Sequence, residues 1–380
     1  MPNKLNAFSL QPPASSLVPA CWRTWVEIDR AALRHNIHVA KKRTPHADMI
    51  AVLKANAYGH GMEEVAKMLA SHVSYFAVAS CEEALRLQRV VPKVPIMLLS
   101  AALPCEYPII AKKKMIPTIS SFEEARAFAT VAPAGAPIHV MIDTGMGRLG
   151  VAAAQAVQVV HKIAKLPLTI QSFSTHLPSA DDDVRGTRMQ LAAFKKIVSQ
   201  LQAIVPDAKV HALNSAGVLH FSKEAHCTVR VGLMLYGVSP VPTFQKLLRP
   251  VMTWKARVTL IQKLSKGATI SYGKTFIAPH DLAVAILPVG YADGYPRQLS
   301  NQGACVLING RRCPVLGRVT MDQIVVDISR AGKVSVGDEV VLLGKQKDQK
   351  IGASWLASKA GTIPWHLFAG IGERVHRCYS

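Results

Sequence analysis

One lysine stands where a buried strand should end. Lys54 follows the apolar run 50–53 and precedes the segment 55–61, which reads Ala-Asn-Ala-Tyr-Gly-His-Gly. Crowding by such residues removes solvent, and desolvation lowers the pKa of a lysine ammonium group. A neutral amine can form a Schiff base with a carbonyl compound. Taken alone, Lys54 is either such a nucleophile or a solvated surface lysine, and the second is the commoner case.

Further candidate site residues lie within or after later apolar runs of the chain. They are Arg148, His176, Ser215, Arg230, Gly232 and Leu233. Glycine lets a ligand approach backbone N–H groups, and the last two loops of a parallel barrel often bind phosphate. A Schiff-base lysine, a phosphate cradle and arginines at one edge together indicate pyridoxal 5′-phosphate (PLP). Its aldehyde needs the lysine and its phosphate needs the cradle.

The elements that must position these residues alternate between apolar runs and amphipathic helical segments from about residue 49 to 237. Three of the helical segments open with Glu63, Glu82 and Glu123, which suits the positive end of a helix dipole. Strand–helix alternation predicts an α/β fold with a parallel sheet, either a TIM-like (β/α)8 barrel or a doubly wound sheet. The eight apolar runs are 49–53, 75–78, 95–99, 116–119, 138–142, 170–174, 210–213 and 229–231.

After Pro250 the pattern becomes β-rich, with Gly, Asn and Asp turns between short strands. A second, mostly β domain is therefore predicted at the C-terminal end. We expect residues 1–24 to be a flexible extension, 25–245 the barrel, and 246–380 the β domain. The stretch 25–29 could instead be a strand that joins the β domain. The first 21 residues lack the continuous apolar core of a secretory signal.

Charge and cysteine content limit the classes of partner. Lys and Arg total 45 against 24 Asp and Glu, a net charge of +21, but the basic residues are scattered and no nucleic-acid motif accompanies them. The charge is expected to attract small anions rather than nucleic acid. No apolar run approaches the ~18–20 residues of a membrane span. Seven separated cysteines without a C-x-x-C pair predict a reducing cytoplasm, with neither a disulfide framework nor a metal site.

The segment 51–61, Ala-Val-Leu-Lys-Ala-Asn-Ala-Tyr-Gly-His-Gly, strongly resembles the PLP-lysine motif of the alanine racemases. The likeness continues in family order through 142–150, 213–216, 230–237, 270–273, 290–294, 321–323 and 362–364. It covers nearly the whole chain from about residue 25 to 377. The resemblance implies a PLP-binding barrel followed by a β domain, and an isomerase that interconverts L- and D-alanine for cell-wall peptidoglycan.

The resemblance also implies roles for individual residues. Lys54 would hold PLP and act as one of two bases. Tyr272 would be the second base and would enter the site from the other subunit, which makes a homodimer necessary for catalysis. Tyrosine is ordinarily protonated at neutral pH, so Tyr272 needs cationic surroundings to act as a base. The phosphate would be held by Tyr58, Ser215, Gly232 and Leu233, the last two through backbone groups.

The remaining implied roles concern the PLP ring and the substrate. Arg230 would face the pyridine nitrogen, and because arginine does not give up its proton, that nitrogen would stay unprotonated. His176 would link Arg230 to the second base. Arg148 would lie near the PLP phenolic oxygen and the substrate carboxylate. Met321 would contact that carboxylate through its backbone, and Tyr291 would narrow the entrance.

One position departs from the family pattern. Met141 stands two residues before Asp143, where many members carry a lysine that becomes carbamylated and orients the arginine. Methionine cannot be carbamylated. We therefore expect Arg148 to be oriented by another anion such as chloride, to pair with a nearby acidic side chain, or to be held more loosely.

Other activities are compatible with parts of this pattern. A serine or broad-specificity amino-acid racemase is the closest alternative, since the residues do not fix the size of the substrate pocket. A fold-related decarboxylase would share the barrel and Lys54, but the segment 270–273, Ile-Ser-Tyr-Gly, argues against it. A non-catalytic PLP-binding protein of one domain would lack the β domain.

Overall fold

The computed structural model describes Pro19 and residues 21–380. The described chain divides into two compact units, one of Arg30–Pro250 and one that joins Val251–Ser380 to the residues up to Asp29. The first strand, β1 (Thr24–Ile28), belongs to the second unit. Most of the expected extension 1–24 lies outside the described residues.

The barrel unit ends five residues beyond the expected boundary at 245, for a physical reason. Its last segment packs back onto helix α1 (Arg30–Arg43). The Asn36 side chain donates to the Arg249 carbonyl at 2.8 Å and accepts from the Arg249 amide at 2.9 Å. The Arg43 guanidinium lies 5.0 Å from the centre of the Phe244 ring. These contacts bind residues 244–249 to the barrel rather than to the β unit.

Within the described residues, eight parallel strands form the wall of the barrel unit, and a short ninth strand, β7, flanks β6. The nine are β2 (Asp48–Val52), β3 (Tyr75–Val78), β4 (Ile96–Leu98), β5 (Thr118–Ile119), β6 (Ala136–Asp143), β7 (Val151–Ala152), β8 (Leu168–Ser174), β9 (Lys209–His211) and β10 (Thr228–Val231). All of β3 is buried. Parallel strands covered on both faces read as continuous apolar runs, which is why the sequence predicted them.

The wall closes because its two sheets, one of four strands and one of five including β7, meet on both sides. One sheet has the order β10-β2-β3-β4 and the other β5-β6-β8-β9. On one side the Leu98 amide donates to the Ile116 carbonyl at 2.9 Å, and on the other the Arg230 amide donates to the Leu213 carbonyl at 2.9 Å. The predicted (β/α)8 barrel is confirmed, and the doubly wound sheet is excluded.

The helices of the barrel unit cover its outer face. After α1 they are α2 (Met62–Leu69), α3 (Cys81–Val90), α4 (Tyr107–Lys112), α5 (Phe122–Ala129), α6 (Ala156–Ile163), α7 (Val184–Ile204) and α8 (Ser215–His220). Helix α7 begins at Val184 because the Asp183 carboxylate accepts from the Gly186 amide at 2.8 Å and caps it. In helix α8 five of the six residues are buried, so this helix shows no polar face in the sequence.

The second unit is a mostly β domain, as predicted. Its further strands are β11 (Met252–Arg257), β12 (Leu260–Leu264), β13 (Thr269–Ile270), β14 (Phe276–Ile277), β15 (Leu282–Leu287), β16 (Cys305–Ile308), β17 (Arg311–Leu316), β18 (Ile324–Asp327), β19 (Glu339–Gln346), β20 (Gln349–Ile351) and β21 (His376–Tyr379). Two short helices, α9 (Ala353–Lys359) and α10 (Pro364–Ala369), complete it. Strand β1 pairs antiparallel with β11 and parallel with β21. The stretch 25–29 thus contributes to this sheet rather than to the barrel.

Candidate active site

Lys54 lies at the carboxyl end of β2, which is the barrel edge that carries reactive groups in folds of this kind. The Leu53 amide donates to the Ala77 carbonyl at 2.8 Å, so the pairing of β2 with β3 continues to the residue before the lysine. Lys54 itself is half-buried. Burial lowers the pKa of its ammonium group, the nearby Arg148 lowers it further, and Glu83 acts in the opposite direction. These surroundings therefore favour the neutral amine more than water does.

Residues 55–58 form a left-handed turn directly after the lysine, with φ between 52° and 54° at all four positions. None of the four is glycine, and the left-handed conformation costs an L-residue about 1–2 kcal/mol. Several hydrogen bonds support the turn. The Met62 amide donates to Asn56 Oδ1 at 2.9 Å, and the Gly59 amide donates to the Ala55 carbonyl at 2.9 Å. A strained segment next to a buried lysine is typical of a functional site.

Three residues from separate strand ends form a small cradle in the barrel. Tyr58 is buried, and its ring packs 4.9 Å from the ring of Tyr236. The Ser215 hydroxyl accepts from the Gly232 amide at 3.1 Å and from the Met234 amide at 3.3 Å. A Cβ atom at Gly232 would lie 2.8 Å from the Tyr58 hydroxyl oxygen, so only glycine fits there without a shift. Burial raises the pKa of Tyr58 to about 12, which keeps its hydroxyl a donor.

Arg230 is a buried cation on β10. Its Nη2 donates to the Thr175 carbonyl at 2.6 Å, and its Nη1 donates to the His211 carbonyl at 3.1 Å and to His211 Nδ1. Among the ion pairs of the described chain none involves Arg230. Burial lowers its pKa to about 10, so the guanidinium stays charged at neutral pH. A buried cation held only by neutral groups is suited to face a polar ligand atom.

Histidines surround this arginine inside the barrel. His176 Nδ1 lies 3.4 Å from Arg230 Nη2, and burial together with the charges of Arg230, Arg148 and Lys54 lowers the pKa of His176 to about 3. His139 and His211 stack with ring centres 4.8 Å apart. Both are neutral, since burial and Arg230 lower their pKa values. The three histidines are therefore neutral, and Arg230 is the charged group of this cluster.

The loop that carries Arg148 is folded around Asp143. The carboxylate accepts from the amides of Gly145, Met146 and Gly147 at 2.8–2.9 Å. Burial raises the pKa of Asp143, but these amide bonds outweigh it and leave the pKa below its ordinary value. Arg148 is exposed and takes part in none of the ion pairs within the described residues. Among the described residues, no acidic side chain forms an ion pair with Arg148 in place of the charge that a carbamylated lysine would supply.

Met141 lies under this loop on β6 and is buried. The Ser174 hydroxyl, which also contacts His139 Nε2 at 2.9 Å, donates to the Met141 sulfur at 3.3 Å. The thioether thus takes a hydrogen bond from the barrel interior, and it brings no charge.

The other expected site residues lie in the β unit. Tyr272 follows Ser271, whose φ is +64° and whose hydroxyl donates to the Arg318 carbonyl at 2.6 Å. This turn leaves Tyr272 71% exposed. Tyr291 and Met321 lie on two segments that pair, since the Tyr291 amide donates to the Thr320 carbonyl at 3.1 Å and the Ala292 amide donates to the Met321 carbonyl at 3.0 Å. Both side chains are exposed.

Sequence reasoning missed the left-handed turn and the two stacked histidines. His139 and His211 sit within apolar strand runs, and alternation along β6 places His139 and Met141 on one face. That alternation could have indicated a polar layer in the barrel. The turn gave no such signal, because residues 55–58 contain no glycine. In the described part of the chain, no group of three or more His, Cys, Asp or Glu residues could hold a metal ion.

A closed barrel with a half-buried lysine at a strand end, together with an independent β unit, defines a two-domain enzyme class built on a cofactor-binding barrel. The family model for the alanine racemase N-terminal domain matches residues 28–240, and that for the C-terminal domain matches residues 251–379. The chain belongs to the alanine racemase family.

Individual relatives agree with this assignment. The alanine racemase of Halothermothrix orenii is 41% identical over 366 residues, covering 94% of this chain and 96% of that protein. The alanine racemase of Methylacidiphilum infernorum is 40% identical over 367 residues, covering 95% and 94%. The Clostridium difficile 630 alanine racemase structure has a TM-score of 0.89 at 34% identity, covering 94% of this chain and 96% of that one. The Bartonella henselae structure, described with covalently bound pyridoxal phosphate, has a TM-score of 0.86 at 30% identity, covering 94% and 99%.

Proposed function

We propose that this chain interconverts L- and D-alanine with PLP bound to Lys54, using Lys54 and the Tyr272 of a second subunit as the two bases. The observation that carries the proposal is the position of Lys54. It is a half-buried amine at the end of a barrel strand, with a lowered pKa, in a unit that also holds an anion cradle and a buried cation. Family membership supplies the reaction, and this geometry supplies the group that would perform it.

The residues of the barrel unit fit the cofactor. The cradle of Tyr58, Ser215 and Gly232 suits a phosphate, because hydroxyl and amide groups converge where a side chain at 232 would not fit. The buried Arg230 lacks a carboxylate partner in the described chain and would face the pyridine nitrogen. When bound, PLP supplies an electron sink that makes the α-hydrogen of an amino acid acidic.

The proton transfers fall to the chain's own side chains. Racemisation removes the α-proton on one face and returns a proton on the other, so two bases on opposite faces suffice. The desolvated Lys54 amine takes or gives the proton on its face, and the Tyr272 phenol does so on the other. Arg148 binds the substrate carboxylate, and its exposure at the barrel mouth leaves it accessible to an entering amino acid. Arg230 keeps its proton at neutral pH and therefore acts only by its charge.

A homodimer would complete this site. Tyr272 is 71% exposed and Met321 is 51% exposed. Both side chains are therefore open to solvent in the single chain, although they must act on a substrate that is shielded from water. Large exposed apolar side chains of this kind are typical of surfaces that another chain covers. In the dimer, Tyr272, Tyr291 and Met321 of one subunit would face the barrel mouth of the other.

The setting is proposed to be the cytoplasm, where D-alanine would supply peptidoglycan synthesis. All seven cysteines lie in the described part of the chain and all are free thiols, as a reducing compartment would keep them. Among the described residues, no helix has the length and apolar character to cross a membrane.

The decisive test is racemisation by the purified chain with added PLP. L-alanine and L-serine are supplied in parallel, and each D-enantiomer is quantified by chiral chromatography. We expect D-alanine to form with absorbance of the bound cofactor, and serine to react more slowly. A protein that binds no PLP and forms no D-amino acid would contradict the proposal, whereas equal rates on both substrates would identify a broad-specificity racemase.

A further inference from the structure

Helix α3 reaches the Lys54 turn through a single carboxylate. Glu83 Oε1 accepts a hydrogen bond from the Ala55 amide at 2.7 Å, and Glu83 Oε2 accepts one from the Ala79 amide at 2.8 Å. Ala55 is the residue after Lys54, and Ala79 is the residue after β3. One side chain therefore joins the first peptide of the left-handed turn to the end of the neighbouring strand.

The same helix holds the far end of this loop. Glu63 lies on α2, which begins where the loop ends, and its Oε1 is 2.7 Å from Arg86 Nη2 and 2.8 Å from Arg86 Nε. Arg86 and Glu83 are both on α3. The segment from residue 55 to 63 is thus tied at both ends to one helix.

A second helix of the barrel unit provides an internal comparison. The start of α5 repeats that of α3, because Ser121 accepts from the Glu124 amide at 3.1 Å as Ser80 accepts from the Glu83 amide at 3.3 Å. In both helices one oxygen of the glutamate accepts from the amide just before the serine, at 2.7 Å in α5 and 2.8 Å in α3. Of these two glutamates, only Glu83 also accepts a hydrogen bond from another segment through its second oxygen, among the hydrogen bonds of the described residues. Helix capping accounts for one oxygen of Glu83, and the bond to the turn is additional to it.

The charge of this carboxylate also acts on the lysine. Burial and the charge of Arg148 favour the neutral amine of Lys54, and Glu83 is the group that favours its ammonium form. His176 also lies close enough to Lys54 for the lysine charge to lower the pKa of the imidazole, and it is neutral. Among the described residues, Arg148, Glu83 and His176 are therefore the titratable or charged groups that interact with the amine, and Glu83 is the anion of the three.

We propose that Glu83 is a positioning residue for Lys54, whose carboxylate fixes the left-handed turn and places a negative charge beside the amine. The proposal rests on the proposed role of Lys54 in the reaction. It gives Glu83 a task that the equivalent Glu124 does not have, although both cap their helices in the same way.

The first test compares Glu83→Ala with Glu124→Ala by hydrogen-exchange mass spectrometry on the full chain, after hydroxylamine has removed the cofactor. Each variant loses the same capping bond, and only Glu83→Ala loses the bond to Ala55. A hydrogen bond to a charged group is strong enough that we expect exchange in a peptide spanning 55–62 to rise about ten- to a hundredfold in Glu83→Ala. Exchange there that matches Glu124→Ala would overturn the proposal.

The second test measures the effect of the Glu83 charge on the protonation of the Lys54 amine. Acetic anhydride labels neutral amines, and mass spectrometry of the Lys54 peptide across a pH series gives the pH of half-maximal labelling. Glu83→Gln, which keeps the size of the side chain and serves if Glu83→Ala does not fold, should move this pH downward, while Glu124→Gln should not. An unchanged profile in Glu83→Gln would refute the electrostatic part.

The third readout is kinetic. A misplaced base lowers turnover, so kcat for alanine should fall roughly ten- to a hundredfold in the Glu83 variants and stay near the parent value in the Glu124 variants. Exchange and labelling are both measured after the cofactor has been removed, so they report on the turn and on the free Lys54 amine independently of the reaction. Failure of the proposed function is recognised separately, as racemisation that survives Lys54→Ala.

Discussion

Gly232→Ala should weaken cofactor binding because it introduces an atom into the phosphate cradle. The new Cβ would lie 2.8 Å from the Tyr58 hydroxyl oxygen, a distance that real Cβ contacts essentially never show. Tyr58 cannot easily give way, since its ring is buried against Tyr236. Overpacking of this kind costs typically about 1–3 kcal/mol. If the cost falls on the bound state, the dissociation constant of PLP rises by roughly five- to 150-fold.

The assay is a PLP titration of the full chain followed by cofactor absorbance, with Gly352→Ala as the control. At Gly352 the nearest atom to a new Cβ is 4.0 Å away, so that variant should bind PLP like the parent. The sharper test is a double-mutant cycle with Tyr58→Phe, which removes the oxygen at 2.8 Å and leaves the next ring atom at 3.4 Å. The penalty of Gly232→Ala should shrink in the Tyr58→Phe background. Equal penalties in both backgrounds, or no penalty in either, would refute the cradle geometry.

Further predictions concern the bases, the anion and the buried histidines. Lys54→Ala should abolish racemisation and the borohydride-reducible PLP adduct, and a retained adduct would contradict the assignment. Mixing inactive Lys54→Ala and Tyr272→Phe chains should restore activity through hybrid dimers, and hybrid dimers that form but stay inactive would exclude a shared site. The racemisation rate of the parent should change with chloride at low ionic strength and should not change with bicarbonate, whereas the rate of Met141→Lys should change with bicarbonate. A parent rate that chloride leaves unchanged would argue against an ion beside Arg148. Because His139 has a pKa of about 3 when folded and near 6.5 when unfolded, the unfolded chain binds more protons between these values. The stabilising contribution of this histidine should therefore be fully present above pH 6.5 and should fall toward pH 3 by up to ~1.4 kcal/mol per pH unit. In urea unfolding experiments over this range, the free energy of unfolding of His139→Gln should depend less steeply on pH.

The sequence alone predicted the alternating strands and helices of the barrel unit, because each of these elements follows from a local pattern. Each parallel strand is buried on both faces, so runs such as 75–78 had to be apolar, and the acidic residues that open α2, α3 and α5 marked the helices between them. The strand-end position of Lys54 followed from the same alternation. The β domain was less readable, because the sequence predicted strands after Pro250 without fixing the bounds of strands such as β17 and β21. Both are largely polar or half-exposed along their length, which hides a strand pattern.

The tertiary structure decided which side chains act together. No pattern in the sequence connects His139 to His211 or to Arg230, because they come from three strands and meet only when the barrel closes. That none of the ion pairs in the described part of the chain involves Arg148 is likewise a property of the folded surface.

The difference between Glu83 and Glu124 shows most directly what the sequence alone does not predict. In the sequence both are the second glutamate of a Glu-Glu pair three residues after a capping serine, and nothing local distinguishes them. Side-chain capping is decided within one helix turn, so the sequence is sufficient to predict it. The bond from Glu83 to the amide of Ala55 spans 28 positions and depends on the pairing of β2 with β3. Local patterns determined the elements and the lysine, and only the closed barrel decided which charges and amides surround that lysine, because those contacts join residues far apart along the chain.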